Sequence, residues 1–149
     1  AVAAEKLYGA PSIVVDFGTA TNIDVVDSDG YYIGGAIAPG LRISMDALVA
    51  RAARIASIPL ETPPHAIGRT TEEAVQSGAV LGTAAMVEGL VSRIRAELGA
   101  PEARVIATGG LANIVADSTN VFDVVDGQLT LKGICEIARR MRDCVPRTA

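Results

Sequence analysis

Three short apolar runs near the start of the chain constrain its fold more than any other feature. Ser12-Ile13-Val14-Val15 is dominated by β-branched residues, ends on Asp16 and meets Gly18 two residues later. That is the pattern of a buried strand, Pro11 to Asp16, entering a tight turn. A second run from Asn22 to Asp27 leads into Ser28-Asp29-Gly30, and a third occupies Tyr31 to Ala38. Strands joined by a short turn and then an Asp-Gly turn pair as an antiparallel meander.

Beyond the meander the apolar spacing changes. Leu41, Ile43, Met45, Leu48 and Val49 follow Pro39-Gly40 at near-helical intervals, with Ser44 and Asp46 on the other side. They predict a helix ending near Arg54. Ile58 to His65 holds three prolines and reads as an extended connection. A long helix is expected from Thr71 to Leu98, with Thr71 as its N-cap, Glu72 and Glu73 in the first turn, and Gly99 and Pro101 stopping it. Gly78, Gly82 and Gly89 inside that helix each cost ~1 kcal/mol relative to Ala, which suggests close packing against a neighbour. Arg104 to Ala107 reads as a strand, Thr108 to Gly110 as a turn, and Leu111 to Ala116 as a short helix. Val121 to Val125 reads as a strand, Leu129 to Arg142 as an amphipathic helix, and Asp143 to Ala149 as a frayed tail. The economical architecture is α/β: one mixed sheet, three antiparallel strands extended by later ones, with helices covering it.

At 149 residues the chain is the size of one domain, and half of its residues are apolar, enough for a packed core. No stretch reaches the ~18 to 20 uncharged apolar residues of a membrane span. Thirteen bases against seventeen acids leave a net charge of −4. With no Lys/Arg run of ~5 or more, neither nucleic acid nor a membrane is an expected partner. The two cysteines, Cys135 and Cys144, have no partner cluster and suit a reducing, cytoplasmic setting. Residues 1–10 lack the basic start and long apolar core of a secretory signal. Ala1 stands where an initiator methionine would be, which suggests a chain processed, trimmed or cut from something larger.

Four segments can carry chemistry. In Val15-Asp16-Phe17-Gly18-Thr19-Ala20-Thr21, an acid at a strand end precedes a glycine turn and small hydroxylated residues. Backbone amides and hydroxyls there can face a phosphate, and the carboxylate can hold the cation that neutralises it. An ordinary hairpin with Asp16 capping local amides fits the same residues. Thr108-Gly109-Gly110-Leu111-Ala112 offers a backbone without Cβ atoms on which a flat base or ribose can lie, with helix amides behind it for an anion; a tight turn needing positive φ is the alternative. Ile33-Gly34-Gly35-Ala36-Ile37-Ala38-Pro39-Gly40 has a strand face that stays empty, for a ligand or, more simply, for a bulge or bend. Ile67-Gly68-Arg69-Thr70-Thr71-Glu72 could meet a polar substrate at a helix start, though capping by Thr71 explains it without one. His65, Cys135 and Cys144 lack the surroundings of reactive groups.

Taken together and in this order, these segments, with Gln76-Ser77-Gly78, resemble type III pantothenate kinases, members of the superfamily of acetate and sugar kinases, actin and the heat-shock chaperone ATPases. The similarity runs from about Tyr8 to Met141. It implies transfer of the ATP γ-phosphoryl group to the 4′-hydroxyl of pantothenate, the first committed step of coenzyme A synthesis. It implies two ribonuclease-H-like domains with ATP in the cleft between them, residues 1–149 matching the second, C-terminal one.

Carried over by position, Asp16 would be a ligand for the required cations, magnesium with a monovalent ion such as potassium or ammonium. Gly18, Thr19 and Ala20 would form the second phosphate loop, and Gly109 and Gly110 would border the adenosine. Thr71 would reach pantothenate across a dimer interface, with Gly68 shaping its turn. Thr70 stands where many relatives carry Asn, and Asn22 where Thr is commoner. The family's Asp-x-Gly-Asn-Thr-like loop and its Gly-Ala-Asp-Arg segment, which supplies the general base, are absent from residues 1–149. No catalytic base is therefore assigned in this chain, which is expected to need an N-terminal half, as a separate subunit or lost part, and to be inactive alone. The long helix is the expected dimerisation surface, in a homodimer or a heteromer with that half. The competing expectation is a non-catalytic regulatory or accessory protein that retains the nucleotide-binding half-fold. A sugar or acetate kinase lacks counterparts to Ile-Gly-Arg-Thr-Thr and Gln-Ser-Gly.

Overall fold

The computed structural model describes residues 1–51 and 58–144. Its sheet contains β1 (Ser12–Phe17), β2 (Ala20–Val26), β3 (Tyr32–Pro39), β4 (Arg104–Thr108) and β5 (Val124–Val125). The strand order is β3-β2-β1-β4-β5. β1 pairs antiparallel with β2 and parallel with β4, so the meander grows on one side and the crossover strands on the other. This is the ribonuclease-H-like mixed sheet expected from the sequence.

Alternation along β1 divides the molecule. Ile13, Val15 and Phe17 face a core shared with Leu41, Val80, Ala84, Val87 and Val91, all buried. Val14 faces the opposite way, onto Ala3, Ala4, Ile106 and Leu129. The first core belongs to α2 (Leu41–Arg51) and to the long helix, which comprises α3 (Thr71–Gln76), a π-helical turn (Ser77–Leu81) and α4 (Gly82–Leu98). The second belongs to α1 (Val2–Tyr8) and α6 (Leu129–Cys144). The short α5 (Ala112–Ala116) follows β4.

Several sequence expectations need revision. α1 is a full helix where none was expected. Its Ala-rich sequence has no side-chain cap at Ala1, so the start signal is missing, and only Gly9, at φ 86°, marks its end. The cap of the long helix is Thr70, whose hydroxyl accepts from the Glu73 amide at 3.1 Å, while Glu73 Oε2 accepts from the Arg69 amide. Thr71 is the first helical residue and is exposed. Gly78 and Gly82 have open space where a side chain would stand, and Gly89 would meet only the Arg93 guanidinium. Close packing among the described residues therefore does not account for them. β5 begins at Val124, because Asp123 uses its carboxylate as well as its amide to bond the backbone of Val105. The helix expected to end near Arg54 is described to Arg51, its remainder lying outside the described residues. α6 continues through Asp143 to Cys144. Thr71–Leu98 is long and apolar enough, at mean hydropathy 1.3, to cross a membrane. Here the sheet-facing line of Val80, Ala84, Val87 and Val91 makes it a core helix.

α1 is fastened to the rest by polar contacts at its middle and at its C-terminal end. Tyr8 and Lys132 each donate to Asp126 Oδ2 at 2.7 Å, and the Gln128 amide donates to Asp126 Oδ1 at 3.0 Å. Arg140 bridges Glu136 and Glu5.

Candidate functional site

Asp16 lies next to last in β1, in register with Thr108 at the end of β4. The chain then turns at Gly109, with φ 94°. A Cβ on Gly109 would stand 2.5 Å from Asp16 Oδ1 and 2.6 Å from the Phe17 carbonyl oxygen. The Leu111 amide donates to that same carbonyl at 3.4 Å. The acidic strand end and the second glycine corner, some ninety positions apart in sequence, are thus one corner of the sheet. Here both conformation and close approach require glycine.

A third segment supports it. Gly40 is buried under the β1–β2 turn, where any Cβ would run into the Thr19 and Gly18 backbone. Gly18 donates its amide to the Ala20 carbonyl at 3.0 Å, closing a tight turn that leaves Gly18 and Thr19 exposed and Ala20 half-buried. Gly110 is exposed with open space around it. Asp16, Gly18, Thr19, Ala20, Gly109 and Gly110, the residues expected to meet the nucleotide, therefore lie at one corner. α5, with five residues, is too short to offer the anion-binding helix start that the sequence suggested.

The Asp16 carboxylate points to the α1/α6 side of the sheet. It lines a hollow of about 340 Å³ with Val14, Asp24, Thr108, Leu129, Ile134 and Ile137. Burial pushes the Asp16 carboxyl above the usual aspartate value, and the negative charge of Asp24 adds to this. A cation beside this carboxyl would offset that cost. Among the described residues no three His, Cys, Asp or Glu side chains cluster as a complete metal cage. One or two hard oxygen donors instead fit an ion such as magnesium or potassium that keeps water and phosphate as its other ligands.

Gly68 and Thr71 are not part of this corner. Thr71 lines a separate groove with Ser44, Met45, Leu48, Val75 and Gly78, on the helices covering the other side of the sheet. Gly68 packs against the first turn of α3, where a Cβ would strike the Ala74 backbone. In the Gly34-Gly35 strand, a Cβ on Gly35 would collide with the Ile23 carbonyl, and the β2–β3 register shifts at Val25/Val26. Close strand approach and a bulge, the simpler of the two expectations, account for those glycines.

One residue of the hollow was missed from the sequence: Asp24, whose signal was the alternation of Asn22 and Asp24 with Ile23 and Val25, which puts the polar pair on the Asp16 face. Gly40 closes the Ile33–Gly40 segment singled out in the sequence, but its contact with Thr19 is purely tertiary and carried no local signal.

The sequence profile of the type III pantothenate kinases matches residues 1–93. The chain belongs to that family. Among curated type III pantothenate kinases, that of Thermomicrobium roseum is 56% identical over 141 residues, covering 95% of this chain and 54% of its own length. That of Frankia alni is 53% identical over 133 residues, covering 89% of this chain and 53% of its own. The chain spans about half the length of the curated pantothenate kinases it matches. In fold, it resembles a crystal structure from Campylobacter jejuni described as a Baf family transcriptional activator, with TM-score 0.67 and 19% identity over 95% of this chain and 63% of that one.

Proposed function

We propose that this chain forms one wall of the active site of a pantothenate kinase. The reaction is transfer of the ATP γ-phosphoryl group to the 4′-hydroxyl of pantothenate, at the entry to coenzyme A synthesis, in the cytoplasm. The single observation that carries the reading is the convergence of Asp16 and Gly109 on one corner. In this reading residues 1–149 are the C-terminal ribonuclease-H-like domain of a two-domain enzyme, and the opposite wall comes from the length of the relatives that this chain does not span.

Phosphoryl transfer requires little covalent help from the protein; it requires alignment of the nucleophile and neutralisation of phosphate charge. The exposed Gly18-Thr19-Ala20 turn presents backbone and hydroxyl groups to the phosphates. Gly110, with open space beside its backbone, leaves room for the adenosine, and Gly109 borders it by holding the turn against Asp16 and Phe17. Asp16 holds the cation, magnesium with a monovalent ion such as potassium or ammonium, whose chemistry is to draw off negative charge from the phosphoryl oxygens. Thr71 reaches the pantothenate of a partner protomer, an assignment supported by its exposure and by its distance in the fold from its own Asp16 corner. The proton of the 4′-hydroxyl is taken by a base on the other half, so this chain alone binds but does not turn over.

The test is reconstitution. The part of the Thermomicrobium roseum kinase that precedes its match to this chain is joined to Ala1, and formation of phosphopantothenate is measured with ATP, magnesium and a potassium or ammonium salt. Turnover that needs both ATP and pantothenate is expected. A folded chimera with no turnover overturns the proposal.

A further inference from the structure

The Gln76-Ser77-Gly78 segment has no part in the Asp16 corner, yet its two polar side chains both reach for one piece of chain. Gln76, only 6% exposed, donates its side-chain amide to the Pro59 carbonyl at 2.9 Å. The Ser77 hydroxyl donates to the Ala66 carbonyl at 2.6 Å. Both carbonyls belong to the connection from Ile58 to Thr70, which enters the long helix at Thr71.

That connection cannot hold itself. It contains no helix or strand, and Pro59, Pro63 and Pro64 remove three of its amide donors. Its first half is anchored by apolar packing, with Ile58 and Pro63 buried and Leu60 set against the main core. Its second half has no such anchor, since Pro64, His65, Ala66 and Ile67 are all exposed. There the chain is held by Ser77 at Ala66, by Glu73 at the Arg69 amide, and by the close approach of Gly68 to the Ala74 backbone. Ser77 also opens the π-helical turn, a winding that is rare and recurs at functional sites. A buried side-chain amide such as that of Gln76 is costly without a partner, so this part of the helix is specified to receive the connection.

We infer that Gln76 and Ser77 are positioning residues for the pantothenate site: by fastening the 58–70 connection to the helix they set where Thr71 is presented. This rests on the assignment of Thr71 to pantothenate made above, and adds what keeps that residue in place. Each acts through the connection. Releasing Ala66 frees Gly68 to leave Ala74 and Arg69 to leave Glu73, after which the first turn of α3 frays and Thr71 loses its fixed position.

Amide hydrogen exchange on the 149-residue chain reads the fastening, and the chimera described above reads its effect on the substrate. Ser77→Ala is expected to speed exchange at the Arg69 and Ala74 amides, bonded to Glu73 and Thr70, by at least ~10-fold. It should raise the KM for pantothenate roughly 10- to 100-fold, as displacement of a binding group does, with no matching rise in the KM for ATP. Turnover lost at low pantothenate should return at saturation. Alanine suits a helix, so this variant folds, and Ser77→Thr, which keeps the hydroxyl, should restore both readings. Gln76→Met, of similar length without the amide, should act in the same direction. Thr83→Ala is the control: it removes a bond of the same kind within the helix, to the Ala79 carbonyl at 2.7 Å, and should move neither reading. Unchanged exchange in folded Ser77→Ala and Gln76→Met overturns the fastening. Faster exchange with an unchanged KM for pantothenate overturns the positioning role, as does an equal rise in the KM for ATP. An unsubstituted chimera without turnover instead sinks the kinase reading, and the role at pantothenate with it, whatever the exchange shows.

Discussion

The α-carbon of Gly109 stands so close to Asp16 that one added methyl group would come within 2.5 Å of the carboxylate. Gly109→Ala must also hold φ near 94°, so it is expected to destabilise the chain by about 1–3 kcal/mol and to displace the Asp16 side chain. Gly110→Ala, which meets open space, is the control and is expected to cost less than about 1 kcal/mol. Urea unfolding of the two variants side by side checks this, and equal losses would contradict the geometry.

Asp16 is expected to oppose folding while serving the site. Its folded-state carboxyl is raised above the ordinary value, first by burial and then by Asp24. Its contribution to stability is therefore fully present below the ordinary aspartate pKa and is lost as pH rises through the raised one. Asp16→Asn escapes that loss, so the variant should gain on the wild type in unfolding midpoint as pH rises above the ordinary aspartate pKa. Turnover of the reconstituted enzyme should fall at least ~100-fold, as removal of a charge-stabilising group does. A variant that is less stable at neutral pH would remove the strain assigned to this carboxylate.

The fastening of α1 should fail in acid. Hydrogen bonding from Lys132, with help from Tyr8 and the Gln128 amide, holds Asp126 below the usual carboxylate range against the effect of its burial. Arg139 and Arg140 pull Glu136 down to about 2. Stability from such groups is present above their unfolded pKa values and is lost as pH falls through the folded ones. Asp126→Ala should cost about 1–2 kcal/mol at neutral pH by removing the acceptor that Tyr8, Lys132 and the Gln128 amide share. It should also flatten the acid limb of the stability curve, which an acid titration followed by circular dichroism reads directly.

Thr70 and Thr71 should separate cleanly by experiment. Thr70→Ala removes the cap and is expected to cost about 1 kcal/mol of stability. Thr71→Ala should leave melting unchanged while raising KM for pantothenate in the reconstituted dimer. The opposite pattern in thermal melts and initial rates would reverse the two roles.

The meander, the long helix and the Asp16 and Gly109 corners were legible because each rests on local chemistry: β-branched runs, glycine turns and helix stop signals within a few residues. α1 was not, since an alanine-rich helix without a side-chain cap announces itself only through what it packs on. The same holds for Gly40, whose need for a bare backbone comes from Thr19 across the sheet. Thr71 was misread as the cap because two adjacent threonines satisfy the same pattern, and the choice between them is made by where Glu73 can reach. α6 was visible as an amphipathic helix, but that pattern does not say which side is covered.

The parallel pairing of β1 with β4 has a consequence for biogenesis. During synthesis, the loop around Gly18 emerges long before Thr108 and Gly109, and the lateral partner of β1 on that edge arrives only after the long helix has been made. Closing so wide a loop is slow compared with forming the hairpins. The Asp16–Gly109 corner is therefore a late product of folding, and a nascent chain halted before residue 110 can own a complete meander yet lack that corner.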